Sequence, residues 1–252
     1  MSKEVTAEQL QKLLTQKEMR KLQAICMNTH PEVIVDELAQ LDISDINQIF
    51  AELDTRLQAT LLGHFPPELQ VELAESMDRY MLATIFTEMA PDERVDLLKS
   101  LSENRQNAVL FALAQTEREN IRKLASYEEG TAGSVMTSDY VTLSPELTAG
   151  EAIAKIRLEA PDKETIYYCY VVDNQRQLIG FISLKDLILE RTDKTVATIM
   201  KRKVIFSYTT DSQESAAQQI AKYDLIALPV VNQDNELVGI ITHDDALDVI
   251  HQ

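Results

Sequence analysis

VVDNQRQLIGFISLKDL at residues 171–187 and VVNQDNELVGIITHDDA at residues 230–246 align without a gap at an offset of 59 residues. Each is a β-rich run, a polar turn, a Leu, a Gly, a second apolar run and a Ser or Thr three residues before an Asp. The likeness extends outward. YYCYVVD (167–173) matches IALPVVN (226–232), and LIGFIS (178–183) matches LVGIIT (237–242). Amphipathic helices are predicted upstream at 146–160 and 212–224, and the copies open with VMTSDYVTL (135–143) and IMKRKVIFS (199–207) at an offset of 64. The fall from 64 to 59 places a five-residue insertion around Pro161–Thr165 of the first copy. A final helix starts at the Asp of each copy. Two β-α-β-β-α modules therefore occupy 131–198 and 199–252, after a boundary marked by the helix breakers Gly130 and Gly133.

The other half has a different period. From His30 the chain falls into units of twelve: HPEVIVDELAQL, DISDINQIFAEL, DTRLQATLLGHF, PPELQVELAESM, DRYMLATIFTEM, APDERVDLLKSL and SENRQNAVLFAL, ending at Leu113. The ninth and twelfth positions are always apolar, and the units open near Asp, Pro or Ser, which start helices. The spacing predicts helices of about ten residues, each too short to be stable alone in water. Stacked, they share one continuous core. Residues 3–27 are expected to add a helical segment before the stack and 116–131 a helical connector after it, so that 1–130 forms one helical domain. The fold class expected is multidomain α and α/β, an N-terminal superhelix of short helices followed by the paired modules.

The net charge of −17 is shared by both halves and argues against a nucleic-acid partner, which needs a basic face. No apolar run is long enough to span a bilayer, and the polar start MSKEVTAEQL is no signal peptide. Cys26 and Cys169 fit a reducing compartment, and the four histidines show no zinc-binding spacing. No phosphate-binding glycine loop or HExxH motif occurs, and no group is placed for nucleophilic or acid–base work, so an enzyme is not expected. Asp92 and Asp96, four apart in APDERVDLL, share a helix face and repel. They are either a solvated acid pair or oxygen ligands for a hard divalent cation. The Ser183/Asp186 and Thr242/Asp245 pairs have the spacing of helix N-caps.

The duplicated Gly-x-x-Ser/Thr-x-x-Asp unit resembles tandem CBS domains over roughly 135–252. The whole chain, through AGSVMTSDYVTL (132–143), APDKETIYYCYVVD (160–173) and YDLIALPVV (223–231), resembles the cytosolic region of MgtE-family magnesium transporters. That resemblance implies a homodimer formed through the CBS domains at the cytoplasmic face of the membrane. It also implies that the chain is a fragment, continued in full-length relatives by a connecting helix and the protein's own transmembrane domain. In the family, several weakly bound Mg²⁺ ions between helical domain and CBS pair screen repelling carboxylates and favour a compact state that closes the pore. The metal positions then map onto Asp92 and Asp96, Glu214 and Asp224 with the carbonyl of Ala221 and that of Ser134, Asp245, and Asp248 as an extra. One family acid falls on Ser212, with Asp211 adjacent, so a ligand near Glu214 is lost or moved by one residue.

Members of the family also bind ATP. The first copy offers Tyr168 for the base, Asp186 for the ribose hydroxyls, and Ser183 and Lys185 for phosphate, with Leu225 where a relative has an aromatic residue. In the second copy, Asp244 beside Asp245 disfavours a polyphosphate. Two other readings compete with magnesium sensing. One is an adenine-nucleotide-binding CBS module that regulates another partner. The other is a helical-repeat scaffold that binds a protein.

Overall fold

The computed structural model describes residues 5–251. The chain forms two compact units, residues 1–89 with 93–121, and residues 90–92 with 122–252.

In the helical part α1 (Ala7–Thr15) and α2 (Met19–Asn28) precede α3 (Pro31–Leu38), α4 (Ile43–Ala51), α5 (Thr55–His64), α6 (Pro67–Ser76), α7 (Arg79–Glu88), α8 (Pro91–Ser100), α9 (Glu103–Ala112) and α10 (Gln115–Ala125), of which residues 91–92 and 122–125 are counted with the second unit. From α3 onward the helices start twelve residues apart, at 31, 43, 55, 67, 79, 91, 103 and 115. The period thus runs one helix further than the seven units read from sequence. α3 and α4 end on helical caps at Ala39 and Glu52, but from α5 the local cause is a junction of two extended residues. Phe65, Met77 and Leu113 leave their helices at ψ 147°, 157° and 155°, and the next residue, as at Pro66 and Asp78, is extended too. Asp54, Asp78 and Ser102 cap the following helices by accepting backbone N–H bonds from Leu57, Met81 and Arg105. The extended twelfth residue turns its side chain inward. Leu53, Phe65, Met77, Met89, Leu101 and Leu113 are all buried, and only Leu41 is half-exposed. Helices pack on those two places along: α3 on α5, α5 on α7, α7 on α9, and α4 on α6.

Chain reversal at each junction strands helix-end carbonyls, and the fifth residue of the repeat often answers them. Buried Gln58 donates to the carbonyls of Phe50 and Leu53, Gln70 to Leu62, Arg94 to Met89, and Gln106 to Leu101.

The second unit carries two three-stranded sheets. β1 (Thr142–Leu143) runs parallel to β2 (Tyr168–Val172), which is antiparallel to β3 (Leu178–Ser183); β4 (Ser207–Tyr208), β5 (Ala227–Val231) and β6 (Leu237–Thr242) repeat that order. α11 (Ala149–Glu159) precedes β2, α12 (Leu184–Leu189) and α13 (Val196–Ile199) follow β3, α14 (Gln213–Tyr223) precedes β5, and α15 (His243–His251) follows β6. The register obeys the 59-residue offset: Tyr168 pairs with Ser183 and Ala227 with Thr242, and a bulge falls at Val171/Val172 and again at Val230/Val231. The extra residues of the first copy begin with a 3-10 turn at Ala160–Asp162. The hairpin turns bind each other, Leu178 N–H to Asn235 O and Leu237 N–H to Arg176 O, both 3.1 Å.

The opening segments reach across to the other module's sheet. Thr137 of the first opening exchanges both backbone bonds with Ile240 in β6, and Lys201 of the second exchanges both with Phe181 in β3. Each module therefore completes its sheet with the strand that opens the other. This explains the Gly of the duplicated block: Met136 lies over Gly239 and Met200 over Gly180, where a β-carbon would meet sulfur.

Candidate functional site

The exchanged segments build a small open cleft of about 100 Å³, lined by Tyr168, Tyr170 and Phe181 from the first sheet, Leu225, Ala227 and Pro229 from the second copy, and Lys203, Val204 and Ile205 from the incoming segment. Alternation along β2 and β5 places Tyr168 and Tyr170, and their counterparts Ala227 and Pro229, on the faces that meet here. Where the first copy has large aromatic rings the second has small ones, so the rings of one sheet lie over the small residues of the other. Tyr168 and Phe181 meet edge to face with centroids 5.7 Å apart. Tyr170 is buried and donates its hydroxyl to the Ala227 carbonyl at 3.4 Å; burial drives its ionisation far up, so it serves as a neutral donor.

Polar groups stand beside this apolar wall. Ser183 caps α12, its hydroxyl accepting from Asp186 N–H at 3.0 Å. The Ser183 hydroxyl and then the Lys201 ammonium hold the Asp186 carboxyl below the usual carboxylate range. Lys201 Nζ lies 3.3 Å from Asp186 Oδ2 and 5.8 Å from the centre of the Phe181 ring. Of the expected nucleotide residues, Tyr168 lines the cleft, Asp186 and Ser183 form one hydrogen-bonded pair, and Lys185 is exposed on the first turn of α12 without lining the cleft. Leu225 does line it. Lys201 and Lys203 were not foreseen. Their signal was the run KRK in an acidic chain, but the sequence assigned it to the second module rather than to the cleft of the first.

The second motif is used differently. Asp245 accepts from Thr242 N–H at 3.3 Å and from the Thr242 hydroxyl, an N-cap arrangement for α15. Burial, with Asp244 and Asp248 nearby, pushes its carboxyl above the usual range. Asp248 is exposed on the same helix.

The other metal positions scatter. Glu214 is exposed in the first turn of α14, and Asp224 is the left-handed C-cap at its far end, with φ 52°. The helix rise between them is on the order of 15 Å, so the two cannot share an ion. Ala221 lies one turn before Asp224. Ser134 belongs to the Glu214 end, because the segment before it bonds there: Ala132 N–H to Asp211 O, and Gln213 N–H to Gly130 O. Asp211 is committed to its own turn, accepting from Ser207 Oγ at 2.9 Å and Tyr208 N–H at 2.7 Å, so it does not replace the acid missing at Ser212. Asp92 and Asp96 share α8, the first half-buried and the second exposed. Among the described residues no three His, Cys, Asp or Glu side chains gather closely enough to hold a metal. Cys169 is a buried core thiol, pushed up to about 12 by burial.

Residues 29–130 match the MgtE intracellular N domain, and 132–193 and 196–252 match the CBS domain. The crystal structure of the soluble part of a magnesium transporter superposes with a TM-score of 0.92 at 32% identity, covering 97% of this chain and 96% of that one. The chain belongs to the MgtE family. A second MgtE structure, the cytosolic domain of the Mg²⁺ channel in complex with ATP, matches with a TM-score of 0.90 at 35% identity over 96% of this chain and 99% of that one. The magnesium transporter MgtE of Thermus thermophilus is 46% identical over 130 residues, 52% of this chain and 29% of that protein. The matched region thus spans under a third of that MgtE relative's length. No helix among the described residues is long and apolar enough to cross a membrane. These relatives are a magnesium transporter, the soluble part of a magnesium transporter and the cytosolic domain of a Mg²⁺ channel.

Proposed function

We propose that this chain is the cytosolic magnesium-sensing regulatory region of a magnesium transporter, working as a homodimer on the cytoplasmic face of a membrane beside its own transmembrane domain. The observation that carries this reading is the end-to-end likeness to the soluble part of a magnesium transporter. Its physical logic follows from charge. A chain of net charge −17 resists compaction, and Mg²⁺, which keeps several of its waters, can bridge carboxylates that belong to no tight cage. Asp92, Asp96, Glu214, Asp224, Asp245 and Asp248, with the carbonyls of Ala221 and Ser134, are the ligand candidates. Ions bound there stabilise a compact state that closes the transporter. The helical part (1–130) and the two CBS domains (131–198 and 199–252) divide the work, the first bringing the α8 acid pair and the second the rest.

Millimolar Mg²⁺ is expected to lower the radius of gyration in X-ray scattering and to slow trypsin cleavage. Joint Asp92→Asn and Asp96→Asn replacement should shift the Mg²⁺ midpoint. Scattering and cleavage indifferent to Mg²⁺ would overturn the reading.

The cleft supports a second activity of the same region, reversible binding of an adenine nucleotide. The base would sit against Tyr168 and Phe181 and the ribose hydroxyls on Asp186. Titration calorimetry with ATP tests it, and Asp186→Ala should abolish the heat.

A further inference from the structure

Two copies of one motif answer their acid in different ways. Asp245 is met by the hydroxyl and N–H of Thr242, whereas Asp186 has, besides the Ser183 hydroxyl, an ammonium, Lys201, 3.3 Å away. The difference is set by the exchanged strands. At the 64-residue offset Lys201 corresponds to Thr137 and Lys203 to Asp139, and at the 59-residue offset Lys185 corresponds to Asp244. Each cation near the first motif thus has a neutral or acidic residue in its place in the second. Lys201 is also held in position. Its backbone is bonded to Phe181 in both directions, at 2.9 and 2.8 Å, and its ammonium lies over the Phe181 ring that walls the cleft. Lys203, two residues on, lines the cleft itself.

Resting on the nucleotide reading above, we propose that Lys201 is the residue that makes this cleft select phosphorylated nucleosides over nucleosides, by occupying Asp186 while the cleft is empty. A ribose diol that donates to Asp186 must displace the ammonium. An uncharged nucleoside leaves Lys201 with water alone. A nucleotide offers it a phosphate oxygen, so one ion pair is exchanged for another and the diol contact is a net gain. In a chain of net charge −17 a polyphosphate is otherwise repelled, so a cation held against a wall residue of the cleft weighs on which ligand stays. Because the Lys201 side chain is 61% exposed, the effect belongs to a selectivity ratio rather than to a large affinity.

The test is calorimetry on the full chain with ATP and with adenosine, for the native protein, Lys201→Met and Arg202→Met. The Lys201 backbone bonds survive the change, and Arg202 is an exposed cation next to it that controls for charge alone. The ATP-to-adenosine affinity ratio should fall about five- to tenfold in Lys201→Met, the scale of one charge-assisted contact at an exposed site. Adenosine should bind it as well as or better than it binds the native chain, and Arg202→Met should keep most of the ratio. A ratio unchanged in Lys201→Met, or lowered equally in Arg202→Met, overturns the proposal and leaves nucleotide binding standing. A native chain that binds neither ligand overturns the nucleotide reading and this proposal with it.

Discussion

A β-carbon at Gly239 would lie 2.4 Å from Met136 Sδ and 3.0 Å from its Cβ; at Gly180 it would lie 2.8 Å from Met200 Sδ and 3.0 Å from the Lys201 carbonyl oxygen. Neither neighbour can retreat freely, because Met136 and Met200 are buried and Thr137 and Lys201 are hydrogen-bonded to the strands that carry the glycines. Gly180→Ala and Gly239→Ala should each destabilise the fold by about 1–3 kcal/mol, the range for overpacking a fixed contact, read as a lower urea midpoint. A midpoint that does not move would mean that the exchanged segments slide aside. Asp245 has an opposite kind of constraint. Its carboxyl is raised in the fold, so the folded state holds the proton more firmly than the unfolded chain. Stability therefore falls as pH rises from the ordinary aspartate value to the raised one. Asp245→Asn should flatten that part of the pH–stability profile and raise the melting temperature at neutral pH without Mg²⁺. If loss of the Thr242 bonds dominates instead, the melting temperature will drop.

At the scale of elements the twelve-residue period rests on two kinds of residue, and only one was conspicuous in the sequence. The apolar twelfth position showed itself by repetition, and the structure gives its reason: at Phe65, Met77, Met89 and Leu113 it is the extended helix-end residue, buried in the core. The fifth position did not, because Ile34, Ile46, Gln58, Gln70, Leu82, Arg94 and Gln106 share no polarity. What a fifth residue does depends on which carbonyls of the preceding helix are left bare, and that is a tertiary matter. Gln58→Leu keeps the volume and removes the donor that serves both Phe50 O and Leu53 O. It should cost about 1–3 kcal/mol, the penalty for unsatisfied buried acceptors, again read from the urea midpoint. Glu68→Gln, on the exposed side of α6, should leave the midpoint unchanged. The strands were legible because alternation and turn residues are local. The partners of the opening segments were not, since nothing in VMTS or IMKR says which sheet it will join. That one missing fact hid Lys201 and Lys203 from the sequence reading of the cleft.

At the scale of the whole molecule, apolar side chains are left uncovered in equivalent places on the two CBS domains. Tyr167 and Ile226 are related by the 59-residue offset, and so are Ile188 and Leu247; they are 63%, 43%, 62% and 42% exposed. Leu189 and Ile250 extend the same helices α12 and α15 and are exposed as well. Scattered exposed apolar residues need no explanation, but a set that repeats with the internal duplication is a patch with its own approximate symmetry. Such a patch suits an isologous contact, in which the α12 side of one protomer meets the α15 side of its partner and the reverse. The proposed homodimer therefore has a specific test. Sedimentation of the native chain at micromolar concentration should show a dimer, and Ile188→Asp combined with Leu247→Asp should yield a monomer, because each burial would then desolvate a carboxylate. Phe111→Asp removes an even more exposed ring, but from the helical repeat. It should leave the dimer intact, and its dissociation instead would move the contact to the helical unit. A dimer that survives both carboxylates would mean that α12 and α15 are covered by something other than a second copy.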